Sequence, residues 1–263
     1  MLRGLIFDLD GTLYAGDQEV PGAGAFVQTC LQRGLRCLFV TNRANRLPET
    51  VAAHLRRYGI PCEADDVLTT SQATAQLLSP GRAYVIGEEG LINPLRTAGF
   101  TLADRDVEYV IVGFDRAFSY DKLLTACRCI GAGGRFIATN PDRALRLETG
   151  MSPGTGALVA AVQAGSGVTP MIIGKPERRI MDMALAKLAL NVDEVWAVGD
   201  NLETDIPAGA SAGMHTVLML TGVSTVDDIQ AAPVKPDCIM RTYAELEQHI
   251  WGKPCAATPT VSS

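Results

Sequence analysis

The chain has 263 residues, 47% of them hydrophobic and 20% charged, with a mean hydropathy of +0.14; this is the balance of one large or two modest globular domains and excludes wholesale disorder. Its formal net charge of −6, from 23 basic and 29 acidic residues, comes without a run of five Lys or Arg, so no nucleic-acid partner is expected. Apolar runs are only strand-length, and Arg3 and Asp8 lie where a signal peptide would need apolar residues, which together read as a cytoplasmic protein with no membrane span.

Residues 2–8 form a first strand, and Phe26, Val27, Cys30 and Leu31 mark one face of a helix over 22–33 that stops at Gly34. Residues 35–40 are the next strand, and Pro48 opens a helix with Val51, Leu55 and Tyr58, ended by Gly59. Strands follow at 83–87, 109–113, 135–139 and 171–174, with helices at 89–98, 119–131 and 155–165. Pro176 begins a helix whose stripe is Ile180, Met181, Ala184, Leu185 and Leu188. Strands at 195–199 and 216–220 and a helix at 242–251 complete the pattern, and 252–263 reads as a disordered tail. Short strands alternating with helices predict a doubly wound parallel α/β sheet. Seven cysteines without a Cys-x-x-Cys, beside only three histidines (His54, His215 and His249), read as structural thiols in a reducing compartment rather than zinc ligands. Cys30, Cys37, Cys127 and Cys129, set among apolar residues, are expected to be buried.

Four polar elements stand at the ends of predicted strands, where open parallel sheets bind ligands. Asp8 and Asp10, two residues apart before Gly11, either point into one cavity or simply make an Asp turn. Thr41 and Asn42 either seat an oxyanion or cap a helix. Lys175 is a site cation or an exposed loop charge. Asp200 and Asp205, in Gly199-Asp200-Asn201-Leu202-Glu203-Thr204-Asp205, enter the same cavity or cap the helix that follows. If the four converge, four carboxylates face one lysine, and such a cluster must raise its pKa values or admit a cation. Oxygen-only ligation selects a hard ion, Mg²⁺ above all, and the cation and lysine together suit a phosphoryl group.

The order Asp8-x-Asp10-Gly11-Thr12, Thr41, Lys175 and Gly199-Asp200-x₄-Asp205 resembles the four motifs of the haloacid-dehalogenase superfamily of phosphatases. The likeness runs over about residues 2–250. It is closest to the NagD-like nucleotide and sugar phosphatases, through Tyr14, the stretches 136–142, 156–158 and 174–176, and Leu220-Thr221-Gly222-Val223-Ser224. The resemblance implies a Rossmann-like core with an inserted, smaller α/β cap of the C2 type, acting on small phosphate esters. It implies Asp8 as nucleophile and Asp10 as general acid/base, with Asp10 kept protonated by acidic neighbours. Thr41, Asn42 and Lys175 would bind the phosphate. Mg²⁺ would be held by Asp8, the Asp10 carbonyl and Asp200, with Asp205 as outer support. Arg43 departs from the small or neutral polar residue that members more often carry after the Thr-Asn pair.

Roughly 134 positions separate Thr41 from Lys175, room for an inserted domain. The expected division is a core of 1–79 with 171–251 and a cap of 80–170. Asn140, Asp142, Arg143 and Arg146 are the cap residues expected to meet the leaving group, unless the loop over 143–155 is only a mobile connection. A phosphate-binding protein without turnover and a phospho-aspartate receiver are the competing readings. The Asp8/Asp10 pair speaks against the first and the long insertion against the second. The oligomeric state is left open.

Overall fold

The computed structural model describes residues 1–147 and 150–252. In chain order it begins with β1 (Gly4–Phe7), a small hairpin of β2 (Tyr14–Ala15) and β3 (Gln18–Glu19), α1 (Ala23–Gln32), β4 (Arg36–Thr41), α2 (Pro48–Arg57), β5 (Val67–Thr69) and α3 (Thr70–Leu77). A second unit follows with β6 (Arg82–Ile86), α4 (Glu89–Thr97), β7 (Thr101–Leu102), β8 (Tyr109–Val112), α5 (Tyr120–Gly131), β9 (Arg135–Ala138), β10 (Ala144–Leu147), β11 (Gly150–Pro153), α6 (Thr155–Ser166) and β12 (Met171–Ile172). The chain returns through α7 (Arg178–Leu188), β13 (Val195–Gly199), α8 (Asp205–Ala212), β14 (His215–Met219), α9 (Val226–Ala231), β15 (Cys238–Met240) and α10 (Tyr243–Trp251).

The core sheet is parallel, in the order β15-β14-β13-β1-β4-β5. β1 lies between β4 and β13, with Phe7 level with Phe39 and Val198. Strand order reverses at β1, so the crevice beyond its C-terminal end is the ligand-binding position of such a sheet. Alternation within the strands supplies both faces. Leu5, Phe7 and Phe39 pack under α1, α2 and α10 through Phe26, Leu55 and Tyr243. Ile6, Leu38 and Val40 face α7 and α8 through Ile180, Ala184 and Ala208. The apolar cluster on that second face continues into Leu91, Tyr109, Ile111 and Ile137, so the two sheets share buried surface.

The second sheet is also parallel, in the order β12-β9-β8-β6-β7, and its far face is closed by α5 and α6 through Ala126, Ile130, Val159 and Val162. Several expectations change here. Residues 171–172, assigned to the returning core, pair instead with β9 in the second sheet, because Ile172 aligns with Ala138 and Ile173 N–H donates to the Ala138 carbonyl. The stretch 143–155 carries the antiparallel hairpin of β10 and β11, closed at its base by Gly154 N–H on the Arg143 carbonyl. The seventh helix begins at Arg178, after a turn containing a cis Lys175–Pro176 peptide, rather than at Pro176. Cys30, Cys37 and Cys129 are buried but Cys127 is half-exposed, and Leu31 is exposed. Residues 253–263, most of the expected tail, lie outside the described residues. Among the described residues no helix is long and apolar enough to cross a membrane.

Candidate active site

β1 delivers Asp8, whose N–H is fixed on the Val198 carbonyl of the neighbouring strand. The Lys175 ammonium, almost wholly buried, bonds the Asp8 carboxylate, lies 2.7 Å from Asp205 Oδ1 and donates to the Val40 carbonyl at 3.3 Å. The ends of β1, β4 and β13 and the passage after β12 thus converge on one lysine. Asp205, at the start of α8, accepts from the Asp200 and Asn201 N–H groups at 3.1 Å each. Those are main-chain donors in the turn between β13 and α8, to which the carboxylate at the first position of α8 reaches back.

Asp200 is gripped from two sides. Thr12 Oγ1 donates to it at 3.1 Å and Val223 N–H at 2.6 Å. A Cβ on Gly11 or Gly222 would run into its carboxylate. Gly11 also has φ +84°, a left-handed conformation that a side chain would strain. Tyr243 donates to the Thr12 carbonyl at 2.9 Å and Thr221 to the Gly11 carbonyl at 2.6 Å, so the turn after Asp10 is fastened to the start of α10 and to the segment after β14.

Electrostatics follow from burial. Removal from water raises Asp8 well above the ordinary carboxylate range; Asp205 and Asp200 push the same way and Lys175 pulls against them. Burial, and then Asp205, push Asp200 up to about 7. Lys175 is raised as well: burial works against its charge, but Asp205 and Asp8 outweigh it. Three carboxylates around one ammonium are short of positive charge. Oxygens of Asp8, Asp200 and Asp205 lie within 4.8 Å of one another, and the buried Asp205 Oδ1 has no aligned hydrogen bond beyond its ion pair. An all-oxygen set with excess negative charge fits a hard divalent cation.

Asp10 is arranged differently from expectation. The charged group in contact with it is a cation: Arg43 Nη2 lies 2.7 Å from Asp10 Oδ1, and the Tyr14 hydroxyl donates to Oδ2 at 3.4 Å. Thr41 is buried at the end of β4, its hydroxyl accepting from Arg43 N–H at 3.1 Å. The Asn42 amide, expected on phosphate, is spent inside the protein. Its oxygen accepts from Lys175 N–H at 3.0 Å, and its nitrogen donates to the Lys175 carbonyl at 3.0 Å and to Asp142 at 3.2 Å. Asn42 is thus a positioning residue for the lysine.

The second sheet meets this site through 140–142. Asn140 is buried and donates to the Asn42 carbonyl at 2.8 Å, which makes it a fastener rather than a ligand contact. Asp142 rests on Asn42, and burial pushes its carboxyl up to about 6. Arg143 is exposed; the Arg146 side chain lies outside the described residues. Thr12, Thr221 and Val223 stand in the sequence only as members of the motif stretches, without roles; the contacts that make them holders of Asp200 and of the turn after Asp10 emerge from the fold.

Two family profiles match the chain: a haloacid dehalogenase-like hydrolase over residues 5–101 and a HAD-hydrolase-like profile over 172–246. A 5'-nucleotidase, YutF of Bacillus subtilis, is 42% identical over 238 residues, covering 89% of this chain and 93% of its own. An acid sugar phosphatase of Staphylococcus aureus is 40% identical over 255 residues, covering 94% and 98%. The solved structure of NagD from E. coli K-12 superposes with a TM-score of 0.88 at 38% identity, over 93% of this chain and 98% of that one.

Proposed function

The chain belongs to the haloacid-dehalogenase-like hydrolases, and within that family we propose that it is a Mg²⁺-dependent phosphomonoesterase of small metabolites. Nucleoside monophosphates, sugar phosphates and aryl phosphates such as p-nitrophenyl phosphate are the substrates it would take. The observation that carries this reading is the convergence of Asp8, Asp200 and Asp205 on buried Lys175 at the strand ends.

Asp8 is the nucleophile. Its carboxylate oxygen attacks phosphorus, the bond to the ester oxygen breaks, and the electron pair leaves with the alkoxide. Asp10 gives that alkoxide a proton, then takes one from the water that attacks the aspartyl phosphate, which frees inorganic phosphate and restores Asp8. Thr41 and Lys175 hold the phosphoryl oxygens. Mg²⁺ would be held by Asp8, Asp200 and the Asp10 carbonyl, with Asp205 as outer support; bound there, it supplies the positive charge that the three carboxylates and an incoming phosphate lack. Because Arg43 occupies Asp10 before substrate enters, substrate binding draws Arg43 onto an anionic group of the ester and leaves Asp10 free to carry its proton. The segment 80–170 acts as the cap, excluding water and admitting small esters, with Arg143 as its contact to the leaving group.

Phosphate release from a panel of esters tests the proposal. Activity is expected to vanish in chelator, return with Mg²⁺ and be absent in Asp8→Asn. Full turnover in chelator, or in Asp8→Asn, would overturn it.

A further inference from the structure

The core sheet has a second cluster of ligating side chains, at the end opposite Asp8. His215 begins β14, Cys238 begins β15, and His249 lies in the last turn of α10. Two of the chain's three histidines therefore meet a cysteine at the N-terminal ends of two neighbouring strands. Cys238 Sγ lies 3.3 Å from His215 Nε2 and 3.3 Å from His249 Nε2, and the ligating atoms of all three fall within 4.8 Å of one another. The Trp196 ring backs both imidazoles, at 4.3 Å from His215 and 5.7 Å from His249 between centroids. Asp237 Oδ2, held by the Thr216 N–H and hydroxyl at 2.8 Å each, lies 3.7 Å from His215 Nδ1.

A thiol has one proton and donates it to one acceptor, so two imidazole nitrogens turned toward the same sulfur are more than a simple S–H bond asks for. A tetrahedral zinc ion, at about 2.3 Å from sulfur and about 2.0 Å from nitrogen, holds those ligands roughly 3.5 Å apart. That is close to the spacing found. The carboxylate near Nδ1 is the customary outer partner of a ligating histidine, leaving Nε2 free to face the metal. One thiolate and two neutral imidazoles form a nitrogen–sulfur set that prefers zinc-like ions to Mg²⁺, and Asp237 balances the remaining positive charge.

We propose that His215, Cys238 and His249 form a separate binding site for a borderline-soft divalent metal of the zinc type. Water fills the fourth position, on the exposed side where His249 meets solvent. The Cys238 thiol releases its proton to solvent as the metal–sulfur bond forms, and both imidazoles bind neutral through Nε2. The bound ion clips the C-terminal helix to the edge strands of the sheet, far from the carboxylates that serve catalysis.

Cobalt titration of the chelator-treated, full-length protein reads this site directly, because thiolate ligation gives a charge-transfer band and tetrahedral Co²⁺ gives visible absorption. The thiolate band is expected to saturate at one equivalent bound to this site, Zn²⁺ to abolish it, and Zn²⁺ to raise the melting temperature. Cys238→Ser is expected to lose the charge-transfer band. Should that variant fail to fold, His249→Gln at the exposed end of the last helix is expected to abolish the tetrahedral absorption. Asp237→Asn is expected to weaken Zn²⁺ binding about ten- to a hundredfold. Phosphatase turnover with Mg²⁺ is expected to persist in His249→Gln. The proposal is overturned if no thiolate band forms in the parent, if the band survives in Cys238→Ser, or if Asp200→Asn rather than His249→Gln removes the bound cobalt.

Discussion

The two ends of the core sheet present opposite chemistries, one from the strands at its centre and the other from the two strands at one side. Beyond the C-terminal ends lie Asp8, Asp200 and Asp205 around Lys175, oxygen donors enclosed with a single ammonium. Before the N-terminal ends lie His215 and Cys238, joined by His249, nitrogen and sulfur donors open to solvent on one side. The difference has a source in the fold. Beyond β13 the turn before α8 aims main-chain N–H groups at a carboxylate, as Asp205 is held by the Asp200 and Asn201 amides. The opposite end collects the last turns of helices, where free carbonyls favour positive charge, and there the last turn of α10 brings His249. One end therefore gathers carboxylates around an ammonium, the other imidazoles around a thiol.

The sharpest way to break this contrast is to disable one end and read the other. Asp200→Asn is expected to remove Mg²⁺-dependent turnover while the cobalt spectrum of the His215–Cys238–His249 site stays intact; loss of both signals would show that the ends are not independent. Asp8→Asn should lower kcat by roughly ten-thousandfold or more on every ester, measured as phosphate release, while the folded protein still binds inorganic phosphate in calorimetry. For Asp10→Asn the expected loss is about a hundred- to ten-thousandfold on alkyl esters and clearly less on p-nitrophenyl phosphate, whose leaving group needs no proton. Parallel losses on both would deny Asp10 its acid role.

Within the oxygen-rich end, Arg43→Ala is expected to cost about 1–3 kcal/mol in kcat/KM, roughly ten- to a hundredfold, for esters whose leaving group carries a second anion. Neutral leaving groups should be affected less. A uniform change across the panel would mean that Arg43 serves Asp10 alone. The smallest effect belongs to Asp142, raised by burial to about 6 from an ordinary value of about 3.9. A carboxyl that folding raises holds its proton more tightly when folded, so ionising it costs stability. That cost is complete above pH 6 and fades as pH falls toward the unfolded value. Asp142→Asn should therefore be more stable than the parent by about 1–2 kcal/mol in denaturant melts at pH 8, with the two curves meeting near pH 4.

The strands were the most readable part of the sequence, because segments buried on both faces are apolar throughout, as in Leu5-Ile6-Phe7 and Leu38-Phe39-Val40. By contrast, β5 and α3 went unread. Helix α3 buries Thr70, Ser71 and Thr74 instead of an apolar stripe, and its hydroxyls serve the main chain, Thr70 on the Asn42 carbonyl and Ser71 on the Ala44 carbonyl. Its Thr69–Gln72 capping box was the available signal. The acidic residues were legible because each follows a strand at a motif spacing. The Arg43–Asp10 pair and the Asn42 contacts were not, since a neighbour along the chain does not reveal which way a side chain turns. Nor were His215, Cys238 and His249, whose separations of 23 and 11 residues match no ligand motif. Only the adjacency of β14 and β15 and the return of α10 unite them.

Asn42 has a consequence for how the second sheet moves against the core. One residue joins three stretches of chain: the exit from β4, the passage carrying Lys175, and the 140–142 turn of the second sheet. Any displacement that lifts that turn away must first break the 2.8 Å bond from Asn140 and the 3.2 Å bonds to Asp142. Those bonds end on the same residue whose amide fixes the lysine main chain. Movement of the second sheet's turn and the seating of the Lys175 main chain are therefore coupled through one amide, while the ammonium keeps its own partners, Asp8, Asp205 and the Val40 carbonyl.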